Sequence, residues 1–174
     1  MILAILVAAA QFGGHGQVVP FGSLSFSHAS SAGVTSNEVF LQPGAFVFAI
    51  DHLAVGLSLH FVYVHEEGVV NVGGANLPTS VSETLFGVSP MVGAAFNLTD
   101  ALSLFPQLGV DLLHESSTNA FMPAQTVGEL DAFVPLLFSP VEHFFVGLGP
   151  YLDWTFHGPD GTTIGLRTTI GGWF

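Results

Sequence analysis

Lysine is absent from this 174-residue chain, and arginine occurs once, as Arg167. Against that single cation stand 13 Asp and Glu residues, giving a formal charge of −12 at neutral pH. Nucleic acid is held by basic groups that neutralise its phosphates, so nucleic-acid binding is excluded. A basic patch for gripping anionic lipid is missing for the same reason. Cysteine is also absent, which excludes disulfides and thiolate chemistry but says little about compartment. Charge of either sign is scarce: 8% of residues, against about 25% in an ordinary soluble domain. A water-facing surface of this size is normally built from Lys, Glu, Arg and Asp, whereas a lipid-facing one needs none of them. Long apolar runs are lacking too. Apart from a short run at the start, no stretch approaches the roughly 20 residues of a membrane-spanning helix.

What the chain does have is apolar and small: 49% hydrophobic residues, 17 Phe and 21 Gly. The opening run Ile2–Ala10 ends in Ala8-Ala9-Ala10-Gln11. Small residues at Ala8 and Ala10 fit an export-signal cleavage site, although the usual basic start is missing. Residues 1–10 are therefore expected to be a signal-peptide remnant, and 11–174 the folded domain.

Apolar residues recur with period two, the mark of strands with one apolar face. Leu53, Val55, Leu57, Leu59, Phe61 and Tyr63 alternate with Ala54, Gly56, Ser58 and His60. The same holds for Leu102–Leu112, Val146–Trp154 and Ile164–Phe174. In each, the large apolar set forms one face and the small or polar set the other. A sandwich would also alternate, but it would carry charges on its outer face. A membrane barrel inverts the pattern, with apolar residues outside and polar ones inside, and closure leaves no strand edge in lipid.

Eight strands follow, at about 17–28, 37–49, 53–65, 81–96, 102–115, 127–138, 144–156 and 162–174, each long enough to cross as a tilted strand. Tight turns at 50–52, 97–101 and 139–143 alternate with longer connections at 29–36, 66–80 and 116–126, and the last connection, 158–161, is short. The expectation is an all-β, eight-stranded antiparallel up-and-down transmembrane barrel with a side-chain-filled lumen. Pro20, Pro43, Pro90, Pro106, Pro135 and Pro150 fall inside these strands. Proline has no N–H for the ladder, so bulges or locally slanted pairing are required there.

The C-terminal segment Thr168-Thr169-Ile170-Gly171-Gly172-Trp173-Phe174 resembles the last strand of outer-membrane barrels. The chain from 11 to 174 resembles the small eight-stranded barrels of the OmpA-transmembrane and OmpX type, in a poorly characterised subgroup. The segments Gly14–Ser27, Pro140–Pro150 and Ile164–Phe174 carry that likeness. The resemblance implies a bacterial outer-membrane location. It also implies that Leu166, Ile170 and Phe174 form the signal read by the barrel-assembly machinery, with outer-membrane lipid as the surrounding partner. The scarcity of Lys and Arg departs from the family and puts its basic contacts to lipopolysaccharide in doubt.

Parity and depth select the residues that could carry function. Phe46, Phe105, Leu137 and Phe145 point inward near the short-turn end. Higher up, Asp111, Glu129, Asp131, Asp153, His60, Tyr151 and Arg167 point inward. A barrel of eight strands is just wide enough for side chains to fill it. Arg167 is expected to pair with Asp153, Asp131 or both, since a buried charge without a partner is costly. His28, His65, His114 and His157 mark the loop-side strand ends as an interfacial rim. They lie on alternate strands about 10 Å apart, too far to share one ion, so no metal and no cofactor is expected. His114-Glu115-Ser116 matches the His-x-Ser spacing of outer-membrane lipid A deacylases, a three-residue match with no third partner.

The reading of function is a non-enzymatic outer-membrane barrel. It would have a structural or surface-interaction role through loops 29–36, 66–80 and 116–126, where a protein partner could dock. The alternatives are a narrow cation-preferring channel, a lipid A-modifying enzyme, and a soluble barrel holding an apolar ligand.

Overall fold

The computed structural model describes residues 12–31, 34–72, 75–117, 124–158 and 161–174. The expected signal segment 1–10 and most of the connection 116–126 lie outside the described residues. Eleven strands form: β1 (Val18–Ser31), β2 (Val34–Ile50), β3 (Leu53–Val72), β4 (Ala75–Ala94), β5 (Phe96–Asn97), β6 (Leu102–Leu104), β7 (Gln107–Ser117), β8 (Gln125–Phe133), β9 (Leu136–Val141), β10 (Phe144–His157) and β11 (Thr162–Gly172). Eight of them close an antiparallel ring in the order β1-β2-β3-β4-β7-β8-β10-β11 and back to β1. β5, β6 and β9 continue the walls at the short-turn end, pairing β5–β6, β6–β9 and β9–β10. The eight expected strands are therefore eight walls, three of them broken.

Proline explains two of the breaks. The expected strands 102–115 and 127–138 are interrupted at Phe105-Pro106 and Val134-Pro135. The carbonyls of both prolines still accept bonds, from Ala94 N at 3.0 Å and Phe105 N at 3.0 Å. Pro43, Pro90 and Pro150 stay within strands, each with a continuous ladder on one side, opposite Gly22, Leu57 and Leu166 respectively. On the other side the ladder skips the proline: β2–β3 jumps from Leu41 to Gly44, β4–β7 from Val88 to Met91, and the β10 pairings from Leu148 to Tyr151. The missing N–H thus falls where the ladder is already open.

Two expected loops are strand instead. β1 and β2 pair to Ser31↔Val34, and β3 and β4 pair without interruption from Leu53↔Ala94 to Val72↔Ala75. Strand pairing therefore takes in all the described residues of the connections 29–36 and 66–80. Their Ser, Gly and Asn content suggested loops, but cross-strand pairing outweighs these weak strand preferences.

The short turns at the other end carry left-handed backbone at non-glycine residues. His52 has φ +66° and His143 φ +63°, each the second residue of a two-residue turn after Asp51 or Glu142. His52 N donates to Gly13 O at 2.7 Å, and His52 O accepts from Ala95 N at 2.8 Å. His143 Nδ1 donates to Trp173 O at 2.8 Å. Both turns are thereby tied to the base of the barrel. A β-branched residue resists this conformation, by about 1–2 kcal/mol. Changing His52 to Val is expected to lower stability by that amount in a urea titration of the folded gel band, whereas His52→Gly leaves it near the original value.

The outer wall is apolar. Leu53, Val55, Leu57, Leu59, Phe61 and Tyr63 are all exposed along β3, as are Leu108, Val110 and Leu112 on β7 and Val146, Leu148, Leu152 and Trp154 on β10. The exposed aromatics fall at two levels. Phe26, Phe61, Tyr63, Phe86, Trp154 and Phe156 stand toward the long-hairpin end, and Phe96, Phe138 and Phe174 at the short-turn end. An apolar band between two aromatic girdles is the surface of a barrel seated in a bilayer.

Candidate functional site: the lumen and its mouth

The lumen has two layers. Its lower layer is aromatic: Phe12, Phe46, Phe48, Phe105, Phe145 and Trp173 are buried together with Val19, Met91 and Leu137. The Phe46 ring covers Gly56 and the Phe105 ring covers Gly93, where a β-carbon would collide with them. Phe12 sits at the centre, edge-on to Phe48, Phe105, Phe145 and Trp173 at centroid distances of 5.4, 5.2, 5.9 and 5.6 Å. It is held by the turn that follows, where Gln17 Oε1 accepts from Gly13 N at 2.9 Å and Gly14 N at 3.1 Å. Asn97 Nδ2 donates to Phe12 O at 2.8 Å. A fully buried Phe contributes about 1.5–3 kcal/mol, so this floor is a firm closure.

Above the floor lies the polar layer. Arg167 on β11 makes ion pairs with Asp131 on β8 and with Asp153 on β10, the latter at 3.3 Å. Asp131 and Asp153 face each other in register on neighbouring strands. The guanidinium also lies over the rings of Tyr151 at 4.4 Å, Phe40 at 5.2 Å and Phe133 at 5.4 Å, so apolar faces hold the same cation. His60 on β3 has a second set of partners. Gln42 Nε2 donates to His60 Nε2 at 2.7 Å, which leaves the ring proton on Nδ1, 3.5 Å from Asp111 Oδ2. Glu129 accepts from Thr155 Oγ1 at 3.0 Å. Among the described residues the buried Asp131 Oδ1 has no hydrogen-bond partner, and the buried Asp111 has the Ser89 hydroxyl beside it. Four carboxylates thus surround one permanent cation. A cavity of about 490 Å³ opens above them toward the long-hairpin end, lined by residues including Glu38, Phe40, His60, Asp111, Glu129, Tyr151, Asp153 and Arg167.

The structure therefore places the expected inward set together in one layer. Phe12, Phe48, Trp173 and Gln42 belong to the lumen as well. Phe48 shares the parity of Phe46, and Trp173 that of Arg167, so alternation carried the signal for both. Nothing in the sequence marked Phe12.

The histidine rim is not brought together. His28 and His114 are exposed on the outer face, and His157 is exposed on the inner parity of β10. His28 Nδ1 meets Asn37 Oδ1 at 2.8 Å, while His65 Nδ1 meets Ser82 Oγ at 2.9 Å. Each is engaged by its own neighbouring strand. Among the described residues, the His114-Glu115-Ser116 run is engaged by the neighbouring strands. Ser116 Oγ donates to Thr84 O at 3.4 Å, and Glu115 accepts from Gln125 on the opposite face at 2.9 Å.

Fold, girdles and the aromatic plug across the lower lumen define a small transmembrane β-barrel of eight walls. It has the fold of the small barrels of bacterial outer membranes. Neisserial surface protein A superposes with a TM-score of 0.53 at 11% identity, over 91% of this chain and 95% of that one. Ail, the attachment invasion locus protein of Yersinia pestis, gives a TM-score of 0.48 at 11% identity, over 91% and 98% of the two chains. No family model and no curated protein matches the sequence.

Proposed function

We propose that this protein is a non-enzymatic outer-membrane barrel that works at the cell surface through its long hairpins. The carrying observation is the unbroken β3–β4 pairing. Each strand has 20 residues, which at about 3.3 Å per residue and a tilt of about 40° rises about 50 Å, twice an apolar band of about 25 Å. A membrane anchor needs only half of that. Beyond Glu67, where the pairing with β2 ends, β3 and β4 continue together, and the base of this projection carries Glu66, Glu67 and Glu83 without a neighbouring Lys or Arg. Such a surface favours a cationic or uncharged partner over an anionic one.

The test is adhesion of cells displaying the protein. Cells with the full hairpin are expected to bind a polylysine-coated surface better than cells in which 64–83, with Glu66, Glu67 and Glu83, is replaced by Asn-Gly, and neither should bind a sulfated-glycan coat. Equal adhesion of the trimmed form would overturn the assignment. The second reading, a cation-preferring channel, draws on the lumenal carboxylates. The Phe12 floor opposes it, and planar-bilayer recording of the purified barrel is expected to show no steady conductance.

A further inference from the structure

The ring is weakest where it closes. β1 and β11 share only two paired positions, Phe21↔Gly171 and Gly22↔Ile170. Below them, Val18 and Phe174 exchange backbone bonds at 2.9 and 3.1 Å. Above them both strands run on, the backbone ladder of β1 shared with β2 and that of β11 with β10, and Thr169 Oγ1 donates across to Gly22 O at 3.4 Å. The side chain of Thr168 reaches across to Leu24 O at 3.4 Å, and past that point no pairing joins the two strands.

The lumenal cavity meets this gap. Its lining includes Ser25 and Arg167, which face inward, and also Phe26 and Leu166, which are 68% and 71% exposed on the outer wall. Phe26 and Leu166 stand opposite each other where the pairing of the two strands has stopped, and the cavity reaches both residues. The opening lies at the long-hairpin edge of the apolar band, level with Phe26 in the upper girdle, where the acyl chains meet their headgroups.

The two ends of this passage differ in chemistry. At the wall it is Phe26 and Leu166, facing hydrocarbon. Inside it is Asp111, Glu129 and Asp153, with Arg167 already engaged by Asp131 and Asp153. Asp111 is 2% exposed and lines the cavity, with the Ser89 hydroxyl beside it. An acidic interior reached through an apolar slot fits a molecule with a positively charged N–H donor at one end and hydrocarbon at the other. A bare metal ion does not fit, since no three His, Asp or Glu side chains among the described residues converge as ligands. A phospholipid does not fit either, because its phosphate would face the carboxylates with the single cation already paired.

We propose that the β1–β11 gap is a lateral portal through which the cavity takes a single-chain alkylamine from the bilayer. Its ammonium group lies among Asp111, Glu129 and Asp153, and its tail passes between Phe26 and Leu166. This site is separate from the projecting hairpin and stands or falls independently of it.

Native mass spectrometry of the purified barrel in an uncharged detergent tests the proposal, with dodecylamine, dodecanoate and dodecanol as probes. The expected result is a one-to-one adduct with dodecylamine only. Asp111→Asn should weaken it at least tenfold, and Glu38→Gln, at the open rim of the cavity, a few-fold. Because the chain has no cysteine, Phe26→Cys with Leu166→Cys can be bridged by a short bismaleimide, which should abolish the adduct while the unbridged double variant retains it. Folded-band migration on an unboiled gel verifies each variant. Equal adducts with all three probes, or an adduct unaffected by the bridge or by both acidic substitutions, would refute the portal.

Discussion

Arg167→Ala is expected to cost about 3–5 kcal/mol of barrel stability, the usual penalty for removing one partner of a buried ion pair. The size follows from what is left behind. Asp131 is 1% exposed, its Oδ2 pairs with Arg167, and its Oδ1 has no partner. Without the guanidinium, a buried carboxyl group is left with no partner to replace it, because the chain holds no other Lys or Arg. The loss also empties the space between Tyr151, Phe40 and Phe133. The measurement is the urea midpoint at which the fast-migrating folded band disappears. The triple change Arg167→Met, Asp131→Leu, Asp153→Asn should recover most of the loss, since a buried ion pair is weak evidence for stability when compared with apolar residues of similar volume. If Arg167→Ala unfolds at the same urea concentration as the parent, the network does not hold the walls together. Conductance should stay absent in Arg167→Ala, because the aromatic floor beneath is untouched.

Leu57→Arg should destabilise the membrane-inserted barrel by about 2–4 kcal/mol, the cost of a cation facing lipid near mid-depth. Leu57 is 54% exposed on the outer wall, midway along the apolar part of β3, opposite Ala45 and Pro90. The sign of this result separates two environments. On a soluble barrel the same substitution would add charge to an exposed site and cost little. A urea titration in lipid vesicles that showed no loss would therefore contradict the bilayer-facing wall. The same change near the girdle, Phe86→Arg, should cost about 0–1 kcal/mol, so the pair measures depth as well as environment.

Alternation made the walls legible in the sequence. Leu53 to Tyr63 spell one face of β3 residue by residue, and the same arithmetic put Arg167 opposite the acids of β8 and β10. What alternation does not encode is length. Gly68 to Ser80 looked like loop because Gly, Asn, Pro and Ser dominate there, yet the partner strand supplies bonds that these residues do not favour alone. Proline was read correctly as a conflict and resolved in two ways. Pro106 and Pro135 break their strands, while Pro43, Pro90 and Pro150 sit where one ladder is already open. Phe12 was illegible for a different reason. It lies outside any strand, and its place depends on a ring of aromatics contributed by four distant segments. The open β1–β11 edge was equally hidden, since each of the two strands alternates perfectly well by itself.

The buried position of the lone arginine has a consequence for digestion. Trypsin cuts after Lys or Arg, and the only such bond in the chain joins Arg167 to Thr168. That bond lies inside β11, with the arginine side chain 6% exposed. A folded barrel therefore presents no tryptic site, and an unfolded one yields a single clip that frees the peptide Thr168–Phe174. Appearance of that peptide reports loss of the barrel wall directly, and a routine tryptic survey of a membrane fraction would pass over the intact protein.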